Sequence, residues 1–223
     1  MRRTSVPLGH NQAMTATPRR SPIAVAGLGL LAAGVGVTAL VASRCAQPAV
    51  QRVDERWYEQ VQRTRSVPRT RASQVLDIGF GTTLDWSARV VVTGLLVRRR
   101  RWRALAGWAA TIVLGEACIG PIKAVIGRIR PESPLVKTSD TSYPSGHAIA
   151  AATTAPGIVL ALVPAGPARQ WSLGAAVAVA AATALSRTDL NAHWLSDCVG
   201  GFCLGAGFAL TSPAVVDVLT AGR

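Results

Sequence analysis

The chain has 223 residues, of which 49% are hydrophobic and only 16% are charged, and its mean hydropathy is +0.31. This composition is typical of an integral membrane protein of one domain and argues against an ordinary soluble domain. The net charge of +13 comes almost entirely from 22 arginines against 2 lysines. Because these arginines flank apolar segments, they indicate juxtamembrane charge, and we expect no nucleic-acid partner.

The chain begins with a polar segment, residues 1–21, which is rich in Pro, Thr and Arg and is predicted to be a disordered cytoplasmic tail. The first apolar segment, Pro22–Ala42, contains no charged residue and is about as long as a bilayer core requires. A cleaved signal peptide is the alternative, because Val41-Ala42-Ser43 is followed by small residues. The tail before it is long for such a peptide.

A hydrophilic connection, residues 44–74, follows the first span. Within it Val53, Trp57 and Val61 recur at helical spacing among charged residues. This pattern predicts a short amphipathic helix that lies at the extracytoplasmic membrane interface.

The second predicted span, Val75–Val97, carries three charged residues, Asp77, Asp85 and Arg89. Asp85 and Arg89 are four residues apart, so we expect them to pair on one helix face and lower the cost of burying each other.

The run Arg98–Arg103, which holds five arginines and Trp102, gives the strongest positive-inside signal in the chain. Four further apolar segments follow it: Ala104–Ile122, Ala148–Val163, Ser172–Leu185 and Trp194–Leu210. The last three are short, so their helices are expected to extend into flanking polar residues. The predicted fold is all-α, a polytopic membrane bundle of about six helices over residues 22–211, with a short C-terminal tail at 212–223.

If the tail and the arginine run are cytoplasmic, residues 123–147 and 186–193 emerge together on the extracytoplasmic side. Seven arginines between residues 44 and 71 would also lie outside, which weakens the charge bias. The prediction is therefore a multi-pass protein of the bacterial cytoplasmic membrane with its functional residues on the outer face.

Three short blocks near the ends of apolar segments hold residues suited to phosphate chemistry: Lys123-x6-Arg130-Pro131, Pro144-Ser145-Gly146-His147 and Ser186-Arg187-x5-His193-x3-Asp197. A phosphoryl group in its transition state needs several fixed cations, and arginine forks match its oxygens bidentately. Pro131 disfavours helix at Arg130 and places that guanidinium in a loop. Ser145 is expected to cap a helix, whose N-terminal N–H groups, with Gly146, form an anion site.

The two histidines of these blocks suit complementary roles. His193 and Asp197 are four residues apart, so the carboxylate can orient the imidazole and leave its other nitrogen free to attack phosphorus. His147 is then available to protonate the leaving oxygen and later to activate water. Each block alone has a structural explanation, as an anchor, a helix terminator or a cap, but eleven specified positions in this order are improbable by chance.

The three blocks resemble the complete signature of the type 2 phosphatidic acid phosphatase superfamily. The resemblance implies a six-helix, metal-independent lipid phosphatase without a cofactor, which works through a phosphohistidine intermediate. It implies His193 as the nucleophile, Asp197 as its partner and His147 as the general acid. The phosphate-binding positions that it implies are Lys123, Arg130, Arg187, Ser145 and Gly146. Soluble vanadium haloperoxidases share the signature, but six apolar spans argue against that class.

The expected substrate is a lipid phosphate or diphosphate, and among bacterial lipids a polyprenyl diphosphate is favoured over phosphatidate or phosphatidylglycerol phosphate by analogy with relatives. A lipid phosphotransferase and a non-catalytic protein that binds anionic lipid are the alternatives. The four cysteines have no zinc spacing, and no metal-spaced group lies beside the blocks. Glu116, seven residues before Lys123, either contacts Lys123 or the substrate or makes a structural hydrogen bond.

Overall fold

The computed structural model describes residues 21–138 and 141–221, so nearly all of the predicted N-terminal tail lies outside the described residues. Within these ranges the chain forms eight α-helices and no β-strand, which confirms the all-α prediction. The helices are α1 (Pro22–Ala42), α2 (Gln47–Arg63), α3 (Val67–Gly79), α4 (Thr82–Arg98), α5 (Trp102–Ile126), α6 (Gly146–Leu162), α7 (Pro167–Asp189) and α8 (Leu195–Thr220).

Six of the eight helices in the described ranges correspond to the predicted spans. By length and composition α1, α5 and α8 can cross a membrane, with mean hydropathies of 2.2, 1.6 and 1.7. The fourth helix of this apolar kind, α6, is shorter at 17 residues. These four helices form the bundle together with α4 and α7. As expected, each of α6, α7 and α8 begins or ends beyond the apolar segment that was predicted for it.

The predicted second span is wrong as a single helix, because the chain breaks between Gly79 and Thr82. Gly81 is extended there, with φ −68° and ψ 157°. A Cβ atom on Gly81 would lie 3.0 Å from the carbonyl oxygen of Asp77, so the turn is too tight for a larger residue to fit easily. Residues 75–79 therefore complete α3, and only α4 continues through the bundle.

The predicted C-terminal tail is also wrong, because α8 continues to Thr220 and carries Pro213 within it. The helix passes this proline where it packs against α5. A Cβ atom on Gly107 would lie 3.0 Å from Cα of Pro213, so the two helices are nearly in backbone contact. This close packing stabilises α8 beyond Pro213, a residue that would otherwise favour the end of the helix.

Glycines let the helices around α8 approach closely. A Cβ atom on Gly34 of α1 would lie 2.9 Å from the backbone nitrogen of Leu204, and one on Gly207 would lie 2.9 Å from that of Leu31. On the other side of α8, a Cβ atom on Gly205 would lie 2.7 Å from the carbonyl oxygen of Ile149 in α6. Small residues thus place α8 at the centre of the bundle, between α1 and α6.

The predicted pairing of Asp85 with Arg89 is confirmed. Arg89 Nε lies 2.7 Å from Asp85 Oδ2, and both side chains are buried. The same guanidinium donates to Glu116 of α5 at 2.5 Å and to Thr154 of α6 at 2.9 Å. Of the two roles expected for Glu116, the structure shows the structural hydrogen bond. Glu116 thereby joins the polar network that connects α4, α5 and α6.

The arginine run and the three phosphate-type blocks lie at opposite ends of the bundle. Arg101 donates to the carbonyl oxygen of Leu162 at the end of α6. A cavity of about 530 Å³ at this end is lined by Arg100, Arg103 and Arg169. Lys123 and His147, by contrast, lie at the other ends of α5 and α6.

We expect Gly205→Ala to lower the free energy of unfolding by about 1–3 kcal/mol, because the added methyl group must push α6 and α8 apart. Gly174→Ala in α7 is the matched control, since, apart from its own helix turn, no atom of residues 21–138 and 141–221 lies within 4 Å of its Cβ position. That change should leave stability unchanged or slightly raised, as alanine favours helix. Thermal unfolding in detergent measures both, and equal effects would contradict the close packing of α6 on α8.

Candidate active site

The predicted site residues come together at one end of the bundle. They lie in the last turn of α5 (Lys123), at the start of α6 (Ser145, Gly146, His147), in the last turn of α7 (Arg187), in the first turn of α8 (Asp197) and in two connecting loops (Arg130, His193). The fold thus joins three blocks that are up to 74 residues apart in the chain.

The loop after α5 begins at Gly127, which adopts a left-handed conformation with φ 56°. Its N–H donates to the carbonyl oxygen of Lys123 at 2.9 Å, a common way to end a helix. Arg130 therefore lies outside helical structure, as Pro131 predicts.

His193 is buried and lies beside Arg130. Arg130 Nη1 is 3.1 Å from His193 Nε2. A guanidinium can only donate, so Nε2 must be the bare nitrogen and the ring proton belongs on Nδ1. Nδ1 in turn lies 3.5 Å from Asp197 Oδ2, at the outer limit of a hydrogen bond, and has no closer partner in the described parts of the chain.

The pKa of His193 is lowered to about 4, mainly by burial; Asp197 opposes this shift, and the nearby guanidinium groups of Arg130 and Arg187 contribute to it. Removing the charged ring from water costs more free energy than its attraction to the Asp197 carboxylate recovers. At neutral pH the imidazole is therefore uncharged, with a lone pair on Nε2.

Lys123 and Arg130 converge on one main-chain atom. Lys123 Nζ donates to the carbonyl oxygen of Thr141 at 2.7 Å, and Arg130 Nη2 donates to the same oxygen at 2.8 Å. Arg130 also donates to the carbonyl oxygen of Ala192. The side-chain cations of Lys123 and Arg130 thus share one carbonyl acceptor next to His193.

Arg187 and His147 share a carboxylate that the three blocks do not contain. Arg187 Nη1 donates to Asp77 Oδ1, and His147 Nε2 lies 3.2 Å from the same oxygen. The Arg187 side chain is only 3% exposed, and its Nε has no hydrogen-bond partner among the described residues. From the sequence, Asp77 was expected to lie in a span and had no predicted role.

The start of α6 has the predicted cap. Ser145 Oγ accepts a long hydrogen bond of 3.4 Å from the N–H of Ala148. No protein atom of the described chain lies within 4 Å of a Cβ position on Gly146, so helix packing does not require glycine there. Open space therefore adjoins the N-terminal turn of α6.

Asp197 is fixed by a set of donors that the sequence analysis missed. Its Oδ1 accepts from Arg128 at 2.7 Å, and its Oδ2 accepts from the hydroxyl of Ser142 and from the N–H of Trp194 at 2.9 Å. With these partners the carboxylate is held in one orientation toward the His193 ring.

Arg128 also binds α2 to the site. Its Nη2 lies 2.6 Å from Asp54 Oδ2, and Asp54 is only 1% exposed. The other oxygen of Asp54 accepts from the N–H of Ser196 at 2.8 Å. This buried pair holds α2 across the start of α8.

The packed face of α2 differs from the predicted one. Val53 is 56% exposed, whereas Asp54 and Val61 are buried, and Trp57 Nε1 donates to Thr188 at 3.0 Å. The buried face of α2 therefore includes Asp54 in place of Val53, because the buried ion pair of Asp54 stabilises the contact more than the apolar side chain of Val53 would. The helical spacing of Asp54, Trp57 and Val61 is the signal that the sequence offered for this contact.

A cavity of about 570 Å³ opens beside Arg130, between α1, α2 and the end of α5. Its lining includes the polar residues Arg44, Gln47 and Gln51 and apolar residues such as Val41 and Ile126. The cavity thus offers polar and apolar walls next to the site.

Residues 102–220, which hold all three blocks, match the model of the PAP2 superfamily. The chain belongs to this superfamily. Its curated relatives include the undecaprenyl-diphosphatase of Sulfolobus acidocaldarius, 32% identical over 60% of this chain and 64% of the relative. The decaprenylphosphoryl-5-phosphoribose phosphatase of Mycobacterium tuberculosis is 34% identical over 57% and 67%, and the phosphatidylglycerophosphatase B of Bacillus subtilis is 32% identical over 52% and 59%. The match to the first of these curated relatives thus spans slightly less than two thirds of its length.

The PAP2 fold extends beyond the matched region. The crystal structure of a transmembrane PAP2-type phosphatidylglycerolphosphate phosphatase from Bacillus subtilis superposes with a TM-score of 0.71 at 23% identity. The superposition covers 88% of this chain and 98% of that one. The arrangement of helices is therefore that of an integral membrane PAP2 protein.

We expect Arg128→Met to lower the free energy of unfolding by about 3–5 kcal/mol, because Asp54 and Asp197 would remain buried without a cation. Arg63→Met is the matched control, since Arg63 forms an exposed pair with Glu59 on the same helix as Asp54. Its effect should stay within about 0.5 kcal/mol. Denaturation in detergent measures both, and a mild effect of Arg128→Met would contradict the structural role of this ion pair.

We expect the imidazole of His193 to remain neutral well below its ordinary pKa of about 6.5, with a midpoint near 4. The ¹⁵N chemical shifts of labelled histidines, followed against pH, measure this midpoint, and a His193→Asn variant identifies the resonance. A midpoint close to 6.5 would contradict the burial of His193 beside Arg130.

Proposed function

We propose that this protein is an integral membrane phosphatase that hydrolyses a phosphate ester or diphosphate of a lipid. The observation that carries the proposal is the neutral His193, whose bare Nε2 lies 3.1 Å from Arg130 at the end of an apolar helical bundle. Membership of the PAP2 superfamily and the names of its curated relatives support the same reaction class.

Lys123, Arg130 and Arg187 bind the phosphoryl group in this proposal. The two donors on Thr141 turn toward the incoming phosphate oxygens, which replace a neutral carbonyl with a charged acceptor. The buried Nε of Arg187 supplies a further N–H, as it has no other partner in the described chain. The open space beside Gly146 lets phosphate oxygens approach the N-terminal turn of α6.

The first step forms a phosphohistidine. His193 Nε2 attacks phosphorus, and the bond between phosphorus and the lipid oxygen breaks. His147 donates a proton to that oxygen, so the lipid leaves as an alcohol or, from a diphosphate, as a monophosphate. The positive charge that forms on the His193 ring faces Asp197, which Arg128 holds in place.

The second step reverses these roles. His147, now neutral, takes a proton from water as the water oxygen attacks phosphorus. The bond to Nε2 breaks, inorganic phosphate leaves, and both histidines return to their initial states. If a lipid or sugar hydroxyl replaced water, the same residues would transfer the phosphoryl group, and assays with and without acceptors separate the two reactions.

We favour a polyprenyl phosphate or diphosphate as the substrate. Two of the three relatives described above are named for undecaprenyl or decaprenyl compounds. The cavity beside Arg130 supports an amphipathic substrate, because Arg44 and the glutamines in its lining suit a headgroup and the apolar lining residues suit a chain. Phosphatidate and phosphatidylglycerol phosphate are the alternatives, and a side-by-side assay of these lipids tests the choice.

We further propose that the protein resides in a bacterial cytoplasmic membrane with the site on the extracytoplasmic side. The arginine run Arg98–Arg103 lies at the bundle end opposite to the site, and the positive-inside rule assigns such a run to the cytoplasm. Labelling of single introduced cysteines from either side of the membrane tests this orientation.

We expect His193→Ala to abolish phosphate release from lipid substrates, because the nucleophile is lost. His147→Ala should lower turnover by about 100- to 10,000-fold, the usual contribution of a general acid. Phosphate release from protein in detergent measures both, with His10→Ala, in the predicted tail, as the control. Full activity of the His193→Ala variant would contradict the proposal.

The absence of a metal requirement remains a prediction. Treatment of the purified protein with EDTA should leave turnover unchanged, because the proposed mechanism neutralises the phosphoryl charge with Lys123, Arg130 and Arg187. Activity that depends on added magnesium would contradict this mechanism.

A further inference from the structure

Asp77, the last acidic residue of α3, lies outside the three blocks but contacts two of their residues. Its Oδ1 accepts from Arg187 Nη1 and lies 3.2 Å from His147 Nε2. Of the carboxylates in the described parts of the chain, Asp77 is the one within 4 Å of this imidazole.

The other charged groups around His147 are cations. Arg187 reaches it from α7, and Arg130 acts on it from the loop after α5. Burial disfavours a positive charge on the ring most strongly, and both guanidiniums disfavour it further. A general acid must nevertheless carry its proton when the substrate arrives, so a compensating negative charge is needed at this position.

We propose that Asp77 is a positioning residue that, together with the negative charge of the bound phosphoryl group, keeps His147 protonated for the step in which the lipid oxygen leaves. The inference rests on the proposed phosphatase function. In that step the bond between phosphorus and the lipid oxygen breaks, the imidazolium of His147 gives its proton to that oxygen, and the ring becomes neutral beside an unchanged Asp77 carboxylate. Water later returns a proton to the ring, and Asp77 again stabilises its charged form.

Each histidine of the site thus has a carboxylate that an arginine also contacts. Asp197 lies 3.5 Å from His193 and pairs with Arg128. Asp77 lies 3.2 Å from His147 and pairs with Arg187.

The fold holds Asp77 at this place. Asp189 at the end of α7 accepts from Arg69 and from Ser73 of α3, the latter at 3.0 Å, so α3 is bound along α7. The tight turn at Gly81 follows directly, with its Cβ position 3.0 Å from the carbonyl oxygen of Asp77. The carboxylate is thus fixed from both sides of its own helix turn.

The test compares two substrates in the same preparation of Asp77→Asn. Phosphatidate has an alkoxide leaving group that needs a proton, whereas p-nitrophenyl phosphate releases a stable anion that does not. We expect kcat for phosphatidate to fall at least about tenfold, while kcat for p-nitrophenyl phosphate changes little. The ratio of the two values does not depend on the fraction of folded protein.

The pH profile gives a second measurement. Without the Asp77 charge the ring loses its proton more readily, so the alkaline limb of kcat for phosphatidate should move to lower pH. Asp77→Glu should restore part of the wild-type ratio. Glu59→Gln is the control, because it removes a carboxylate from an exposed pair with Arg63 on α2 and touches neither α3 nor His147, and it should change neither the ratio nor the limb.

Two results would overturn the inference while leaving the proposed function intact. An equal loss on both substrates with an unmoved alkaline limb would make Asp77 a purely structural residue. An unchanged kcat with tighter inhibition by inorganic phosphate would make it a competitor of the substrate for Arg187. Wild-type protein that releases phosphate neither from these two substrates nor from a polyprenyl phosphate or diphosphate would overturn the proposed function and this inference together.

Discussion

The structure depends on the pairing of buried cations with carboxylates inside an apolar bundle. Three arginines of the described chain are buried, Arg89, Arg128 and Arg187, and each contacts at least one carboxylate from another helix or loop. A buried guanidinium without such a partner would cost several kcal/mol. The need to supply these carboxylates therefore constrains where the surrounding helices lie.

This constraint explains the two polar helices that cover the site. The helix α2 supplies Asp54 to Arg128, and α3 supplies Asp77 to Arg187. Because both acids come from the segment between the first two bundle helices, that segment packs on the site as part of its framework. The two arginines contact different histidine partners. Arg128 binds Asp197, which lies beside His193, whereas Arg187 binds Asp77, which lies beside His147.

Much of the site was predictable because its residues recur in short blocks at the ends of apolar segments. Pro131 correctly predicted a loop at Arg130, and Ser145 correctly predicted a helix cap. Asp54 and Asp77 were missed, because each is a single acid in a segment whose other residues suggest an interface or a span. The spacing of Asp54, Trp57 and Val61 could indicate a packed face, but the arginine partners of both acids lie more than 70 residues away, so no local pattern identifies those partners.

The sequence by itself determined the class of the protein: apolar segments of membrane length determined an all-α bundle, and the three blocks indicated which residues are candidates for phosphate binding. Local chemistry suffices for these features, since hydropathy and spacing act within one segment. Only the tertiary structure decided that α3 and α4 are separate helices, that α8 continues past Pro213, and that Asp77 joins His147 to Arg187. These features depend on contacts between distant segments, where close packing and charge compensation outweigh local preference.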